Sequence, residues 1–261
     1  MDEIIFLGSC GGRIATMLQA RGTGGIILIC GEHQIHIDPG PGAIVRAKQF
    51  RVNLQKTDIL CISHPHVDHV NDVPIVLEAM TGGAIKKRGV LIGPKSCIEG
   101  DENHTQCVPE YIKKMLEEIF ILKEGDEVAI DESLRIRATK VRHNNANGIG
   151  FKFITKKYIL SYLSDTEYFD ELVDEHKGSN IIIVNLLRPN GERWKGQLCT
   201  EDAVELISKI KPRVAIITHF GMKVLKEDPT NEARILQQKT GVRVIAAKDG
   251  LRLKINEILM E

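Results

Sequence analysis

The sequence lacks a net charge of either sign. Its 261 residues include 35 Lys and Arg against 35 Asp and Glu, so the formal net charge at pH 7 is zero with the nine histidines neutral. A protein that holds a long polyphosphate backbone usually carries a basic excess. The charge balance therefore disfavours long nucleic acid as a partner, although it leaves room for a local basic patch.

Long apolar runs are also missing. No stretch approaches the ~20 residues that a transmembrane helix needs, so no association with a membrane is expected. The first ten residues, MDEIIFLGSC, contain two acids and lack the basic start of a signal peptide. A cytoplasmic location is expected.

The six cysteines include no C-x-x-C pair, and their spacing does not indicate disulfides. Cys30 and Cys61 lie in apolar strand-like runs, where a reduced, buried thiol is expected. The sequence also has no internal repeat, low-complexity segment or Pro/Gly/Ser-rich linker. We therefore expect one domain over residues 1–261, which is an ordinary length for a single α/β domain.

What the sequence does contain is a series of short aliphatic runs bounded by Gly, Asn or Asp, a pattern typical of buried β-strands. The predicted strands are EIIFLG, GIILIC, HQIHID, DILCIS, GVLIG, RIRATKV, GFKFIT, YILSYLS, NIIIVN, RVAIITH and VRVIAA. Helical patterns occur in VNDVPIVLEAM, PEYIKKMLEEIF, TEYFDELVDEH, TEDAVELISKI and NEARILQQKT. This alternation predicts an α/β fold with sheet layers covered by helices on their outer faces.

One stretch, CISHPHVDHV at residues 61–70, concentrates residues that bind metals. Pro65 disfavours helical backbone at His64, so the first two histidines are expected on a loop. Alternate positions in extended backbone face the same way, which lets His64 and His66 bind one cation together. The following turn would aim Asp68 and His69 at a second position. Imidazole and carboxylate suit Zn²⁺, Fe or Mn²⁺, and the missing thiolates argue against a structural zinc finger.

Other predicted strands also end in metal-capable side chains. HQIHI runs into Asp38, RIRATKV leads to His143, YILSYLS ends at Asp165 and RVAIITH ends at His219. Ligand crevices form at strand ends in α/β sheets, and loops there can aim several side chains at one point. We therefore expect these residues to belong to the same site as the histidine-rich stretch.

The order H-x-H-x-D-H, after a strand and before a helix, resembles the signature of the metallo-β-lactamase superfamily. The other markers of that family follow in order along nearly the whole chain: IDPGPG, RHNNANGIGF, LSDTE and ITHFG. The resemblance implies a four-layer αββα sandwich, in which two mixed sheets flanked by helices hold one or two metals at the sheet edges. FLGSCGGR, RGTGG and THFG look most like the branch that contains ribonuclease Z and cyclic phosphodiesterases.

The resemblance also implies a ligand set for two divalent transition-metal ions, with Zn²⁺ expected and Mn²⁺ or Fe as alternatives. The implied ligands are His64, His66 and His143 for one ion, Asp68, His69 and His219 for the other, and Asp165 as a bridge. Asp38 would support a ligating histidine from behind. Asp68 would also act in catalysis by orienting a hydroxide shared by the ions. His33, His36, His104 and His176 match no marker, and we expect them to be structural or surface residues.

Such a site implies a dinuclear metal-dependent hydrolase. Two metals with a bridging carboxylate suit in-line displacement at phosphorus. A phosphodiesterase that acts on a small or nucleotide-like substrate through a metal-bound hydroxide is therefore the leading hypothesis. Two alternatives stay open: a thioester or lactone hydrolase of the glyoxalase II type, and a non-catalytic metal-binding module. A homodimer is also left open.

The segment RPNGERWKGQLCTEDA carries the candidate substrate contacts Arg188, Arg193, Trp194 and Gln197. Arginine suits phosphate oxygens, and tryptophan suits the face of a base or sugar; a solvated surface loop is the other interpretation. Several relatives have Gly-His-Leu where this chain has Gly-Gln-Leu, and glutamine cannot act as an acid. That departure argues against transfer-RNA 3′ processing. The glycines of GSCGGR are better explained by a tight turn than by a phosphate-binding loop.

Overall fold

The structure, a computed structural model, describes residues 2–144 and 147–260. Asn145 and Ala146, in the middle of the segment RHNNANGIGF, lie outside the described residues. The chain forms two compact units. The first comprises residues 2–9, 21–122 and 248–260, and the second comprises residues 10–20 and 123–247. The single domain over residues 1–261 stays a prediction.

Within its described residues, the first unit contains a seven-stranded mixed sheet. Its strands are β1 (Glu3–Phe6), β2 (Ile26–Cys30), β3 (His33–Ile37), β4 (Ile59–Cys61), β5 (Val90–Gly93), β6 (Glu118–Ile121) and β15 (Arg252–Lys254). They lie in the order β15-β1-β2-β3-β4-β5-β6. Pairing is antiparallel from β15 to β3 and parallel from β3 to β6.

Short helices accompany this sheet. They are α2 (Ala43–Gln49), α3 (Val67–Val70), α4 (Val73–Met80), α5 (Lys95–Ile98), α6 (Glu110–Lys113) and α11 (Ile255–Met260), with a 3₁₀ turn at Leu54–Lys56. Strand residues such as Leu60 and Leu91 pack in one buried cluster with helix residues such as Val76, Leu77 and Ile112. Burial of these aliphatic side chains fixes the helices against one face of the sheet.

The second unit, over its described residues, also contains a mixed sheet. Its strands are β7 (Glu127–Ala129), β8 (Leu134–Thr139), β9 (Gly150–Thr155), β10 (Ile159–Tyr162), β11 (Ile181–Arg188), β12 (Leu198–Cys199), β13 (Val214–Thr218) and β14 (Arg243–Ala246). The order is β14-β13-β11-β10-β9-β8-β7, with β12 paired to β11. Pairing is antiparallel from β7 to β10 and parallel from β10 to β14.

The helices of the second unit are α1 (Arg13–Met17), α7 (Asp170–His176), α8 (Thr200–Ile210), α9 (Met222–Glu227) and α10 (Pro229–Thr240). Capping residues in the sequence explain where two of these helices begin or end. A capping box links Cys199 to Asp202 at the start of α8, and α10 begins at Pro229 and stops at Gly241, which has a φ of 70°. Leu206, Leu236 and their neighbours pack with strand residues such as Ile182 and Ile217 in one buried cluster.

These elements confirm the predicted α/β fold with two mixed sheets flanked by helices. Each of the eleven predicted strand segments contains a strand. One helix prediction was only partly right: in PEYIKKMLEEIF the helix α6 ends at Lys113, and the final residues belong to the strand β6. Ile119 pairs with Leu91 of β5, so pairing to the sheet overrides the local helical pattern. Among the described residues, no helix is both long and apolar enough to span a membrane.

Candidate metal centre

The histidine-rich stretch of the first unit lies directly after β4. The backbone from 62 to 66 has no regular structure, and His66 then precedes α3, which carries Asp68 and His69. His64 Nε2 lies 3.1 Å from His66 Nδ1. His64 is 1% exposed and His69 is 2% exposed. Pro65 thus coincides with irregular backbone, as the sequence predicts.

The ligand atoms of these side chains lie close together within the first unit. The ligand atoms of His64 are within 4.8 Å of those of both His66 and His69, and the same holds for Asp68 and His69. His69 Nε2 is 3.7 Å from Asp68 Oδ2. Imidazole nitrogens in this arrangement suit a metal cation.

Asp38 supports this group from behind. It follows β3 with a φ of 50°, a left-handed conformation that aspartate tolerates better than most residues. Its Oδ1 accepts a hydrogen bond from Ser63 N at 2.7 Å, and its Oδ2 accepts from Ser63 Oγ at 2.6 Å and from His69 Nδ1 at 2.9 Å. Because Nδ1 of His69 donates to Asp38, Nε2 of the same ring is the nitrogen that can bind a metal.

Asp165 is the centre of the corresponding group in the second unit. It follows β10 after Ser164, whose φ is 59°, and it is 2% exposed. His219 Nε2 lies 3.3 Å from Asp165 Oδ1, and His143 Nε2 lies 3.7 Å from Asp165 Oδ2. A buried carboxylate with one ring nitrogen beside each oxygen is a donor set that suits divalent transition metals.

The two histidines of this group are fixed by backbone contacts of the second unit. His143 Nδ1 donates to the carbonyl oxygen of Gly196 at 2.6 Å, which again leaves Nε2 as the metal-binding nitrogen. His219 follows β13 with a φ of 60°. Gly11 packs so closely on the His219 ring that a Cβ at this position would overlap it. Gly11, the second of the three glycines in GSCGGR, is therefore required because its backbone approaches the ring of His219 closely.

Each unit therefore contains a donor set that fits a divalent metal: a buried imidazole with Nε2 presented, and a carboxylate beside it. Neither set contains a thiolate. Cys61 directly precedes the histidine stretch, but burial and then the charge of Asp38 raise the pKa of its thiol well above the usual value. A thiol that stays protonated is a poor metal ligand.

In the second unit, Arg188 is the last residue of β11, and the other candidate substrate residues lie in the loop between β11 and β12. The Arg188 guanidinium stacks over the Trp194 ring at 4.6 Å and lies 3.7 Å from a carboxylate oxygen of Glu192. Arg193 is paired with Asp202 at 3.1 Å. Trp194 is 58% exposed. Ion pairs therefore hold the arginines of this segment, and Trp194 provides an exposed aromatic surface.

Gln197 differs from the rest of this loop because it is only 6% exposed. Its Nε2 donates to Asp165 Oδ2 at 2.8 Å and lies 3.4 Å from His143 Nδ1. The sequence places Gln197 near the chemistry only through the Gly-Gln-Leu motif. The structure shows a direct contact with Asp165, and the role of Gln197 beside a leaving group stays a prediction.

The four histidines outside the family markers have other surroundings. His33 Nδ1 lies 2.6 Å from Asp58, and His104 Nδ1 lies 2.8 Å from Asp101. His36 and His176 are fully buried. Burial lowers the pKa of His36 to about 4 and that of His176 to about 3.

Sequence reasoning missed several residues that shape these groups. Asn185 on β11 donates from Nδ2 to Asp165 Oδ1 at 2.8 Å. Ser63 binds Asp38 through both its backbone and its hydroxyl group. A polar residue inside the aliphatic run NIIIVN was a signal for Asn185, because a buried amide needs a partner. Ser63 and Gly11 gave no comparable signal.

Comparison with known proteins identifies the family. The model of the family described as the beta-lactamase superfamily domain matches residues 33–220. The uncharacterized protein MJ1374 of Methanocaldococcus jannaschii is 41% identical over 255 residues, which cover 97% of this chain and 95% of that protein. Ribonuclease Z of Borreliella burgdorferi is 23% identical over 286 residues, covering 84% of this chain and 87% of that enzyme.

Solved structures agree with this result. The metallo-β-lactamase fold protein YhfI of Bacillus subtilis superposes with a TM-score of 0.78, at 16% identity, over 97% of this chain and 98% of that one. At this identity the likeness shows the fold alone. Together with the family match and the similarity to ribonuclease Z, it leads to one conclusion: this chain belongs to the metallo-β-lactamase superfamily and resembles its ribonuclease Z-like branch.

Proposed function

We propose that the protein is a dinuclear metal-dependent phosphodiesterase acting on a small or nucleotide-like substrate. One observation carries the proposal: in each unit, a buried imidazole presents Nε2 beside a carboxylate while its Nδ1 atom is already hydrogen-bonded. His69 is held by Asp38 at 2.9 Å and His143 by Gly196 at 2.6 Å. Second partners of this kind are typical of metal-ligating histidines.

In this proposal the ligand set that the family resemblance implies would hold two ions. The assigned ligands are His64, His66 and His143 for one ion, Asp68, His69 and His219 for the other, and Asp165 for both. When bound, two divalent ions of this kind, with Zn²⁺ expected, lower the pKa of a water molecule and neutralise negative charge at an attacked phosphorus.

The chain's own residues do the rest. Asp68 accepts a proton from the attacking water and orients it toward the substrate, and Asp38 keeps His69 in a single orientation. Burial of these groups strengthens their charge interactions with a substrate phosphate. Trp194, with one ring face next to Arg188, supplies an aromatic surface for a base or sugar.

The choice of phosphorus chemistry rests on two supports. A related protein is a ribonuclease, whose substrate is a phosphodiester. A carboxylate with one ring nitrogen beside each oxygen, as at Asp165, also suits a two-metal site for in-line displacement. The neutral net charge favours a small substrate over a polymer. A cytoplasmic location belongs to the same proposal.

The direct test compares substrate classes. We expect protein loaded with Zn²⁺ or Mn²⁺ to hydrolyse bis(p-nitrophenyl) phosphate, to lose this activity to a chelator, and to regain it on metal addition. A thioester and a lactone, measured in parallel, should be turned over much more slowly. Preference for either of those substrates would replace the proposal with a glyoxalase II-type activity. Metal binding without turnover of any of the three would favour a non-catalytic module.

A further inference from the structure

We infer that Asn185 and Gln197 form a clamp that fixes the carboxylate of Asp165 in one orientation, so that each of its oxygens faces one metal position. Both are positioning residues. The inference rests on the proposed function, because it takes Asp165 to be the ligand shared by two ions. It adds a role for two residues that the ligand set does not include.

The geometry is symmetrical about the carboxylate. Asp165 Oδ1 accepts from Asn185 Nδ2 at 2.8 Å, and Oδ2 accepts from Gln197 Nε2 at 2.8 Å. Oδ1 also lies 3.3 Å from His219 Nε2, and Oδ2 lies 3.7 Å from His143 Nε2. Each oxygen therefore has one amide donor and one ring nitrogen, which leaves the ring-nitrogen side for a cation.

The two amides come from different elements and are both buried. Asn185 lies on β11 and is 1% exposed, whereas Gln197 lies just before β12 and is 6% exposed. A carboxylate held from two independent elements cannot turn about its last bond without breaking at least one hydrogen bond. A neutral amide also orients the carboxylate without adding a positive charge that would repel a cation.

The carbonyl oxygens of the two side-chain amides support the same conclusion. Neither Asn185 Oδ1 nor Gln197 Oε1 has a hydrogen-bond partner in the described part of the chain, although both atoms are buried. Burying an unpaired amide oxygen costs free energy, and leucine or methionine would avoid that cost. The NH₂ ends that contact Asp165 are thus the reason for amides at these positions.

The clamp is tested by zinc affinity, measured by competition with a chromophoric chelator on metal-free protein. Asn185→Leu and Gln197→Met should each weaken zinc binding roughly 10–100-fold, the effect typical of removing a partner of a ligand. Gln197→His keeps an N–H donor at this position and should retain most of the affinity. Thermal unfolding of the metal-free variants reports their stability separately.

Ser161→Ala is the matched control. Ser161 lies on β10, the strand that leads to Asp165, and its hydroxyl forms a buried hydrogen bond with Ser179 at 2.7 Å. Its loss should lower the unfolding temperature and leave zinc affinity unchanged. The clamp variants should show the opposite pattern. If Asn185→Leu does not fold, Gln197→Met decides the question, because its loop lies outside the central strands.

The outcomes separate this inference from the proposed function. Wild-type affinity in both clamp variants, or a loss no larger than in Ser161→Ala, overturns the clamp even if the protein is an active phosphodiesterase. Weakened zinc binding in a protein without phosphodiesterase activity supports the clamp and overturns the proposed function. A wild-type protein that binds no zinc overturns both. Selective acceleration of ribose-type leaving groups by Gln197→His, with unchanged zinc affinity in Gln197→Met, would assign Gln197 to the leaving group instead.

Discussion

In the first unit the ligand-type side chains follow one strand, whereas in the second they follow three. All four ligand-type residues of the first unit lie within the six positions 64–69, shortly after β4: His64, His66, Asp68 and His69. His143, Asp165 and His219 follow β8, β10 and β13 respectively. Yet the two sheets share a pairing pattern among the described strands: three antiparallel pairs are followed by three parallel pairs, and the second sheet adds one parallel pair between β11 and β12.

This difference shows two ways to build a donor set on similar sheets. In the first unit, local backbone conformation positions the donor side chains, since Pro65 and the start of α3 set the relative directions of four neighbouring side chains. In the second unit, the pairing of strands brings the donor side chains together. For example, Asn185 on β11 meets Asp165 after β10 because these strands are parallel neighbours. Changes in the two units should therefore have different consequences.

The largest effect is expected at Asp165, where the second unit's group is centred. Asp165→Ala removes the carboxylate that we assign to both ions, so metal content should fall from near two ions per chain and turnover should fall with it. Elemental analysis of protein purified without chelator measures the content. His104→Ala, which changes a histidine outside the group, should leave it unchanged. One tightly held ion that survives Asp165→Ala unaltered would refute the dinuclear assignment.

Asp68 provides the corresponding test in the first unit. Asp68→Ala should reduce phosphodiester turnover by roughly 10²–10³-fold, the usual effect of removing one group that stabilises the transition state. The neighbouring histidines come from the same segment and keep their backbone, so the unfolding temperature should change much less. Steady-state kinetics and thermal unfolding measure the two quantities. Near-normal turnover would show that Asp68 has no catalytic role.

The fall of the unfolding free energy at acid pH depends on one fully buried histidine in each unit, His36 in the first and His176 in the second. The pKa of His36 is lowered to about 4 and that of His176 to about 3, mainly by burial, from 6.5. Between those values and 6.5 the unfolded chain binds more protons, so their stabilising contribution is complete above pH 6.5 and is lost as the pH falls. The loss is on the order of 3 kcal/mol for His36 and about 5 kcal/mol for His176.

His176→Leu should therefore flatten the fall in unfolding free energy between pH 6.5 and about 3, and His36→Leu should do so less. Urea denaturation of chelator-treated protein at several pH values gives these free energies. The comparison uses slopes, because both substitutions also change packing. Variants whose curves run parallel to that of the wild type would mean that neither histidine is linked to acid unfolding.

The smallest effect is expected at Trp194, an exposed aromatic residue of the second unit. If a base stacks on its ring, Trp194→Ala should raise KM for a nucleoside phosphodiester about fivefold, or about 1 kcal/mol, with little change in kcat. Tyr111→Ala removes an aromatic residue of similar exposure, 53%, in the first unit, and should leave KM unchanged. Equal effects of both substitutions on KM would indicate that the loop carrying Trp194 is a solvated surface without a role in substrate binding.

Much of the fold could be predicted because its strands carry strong local signals. Aliphatic runs such as NIIIVN and RVAIITH are long enough to identify buried strands, and β11 and β13 are found there. The error at β6 has a physical cause: the helical pattern of the preceding residues runs on into Glu118–Ile121, and pairing to β5 makes this segment a strand. Very short elements such as β12 and α5 leave too few residues for any period to appear.

The sequence by itself determined which residues are available as ligands in the first unit, because their chemistry and spacing lie within one short segment. It also determined the strand ends at which Asp38, Asp165 and His219 occur. Only the tertiary structure decided that Asn185, Gln197 and Gly196 surround Asp165 and His143. These contacts join residues 20 to 53 positions apart in sequence. Strand register and loop path, rather than local preference, bring such residues together.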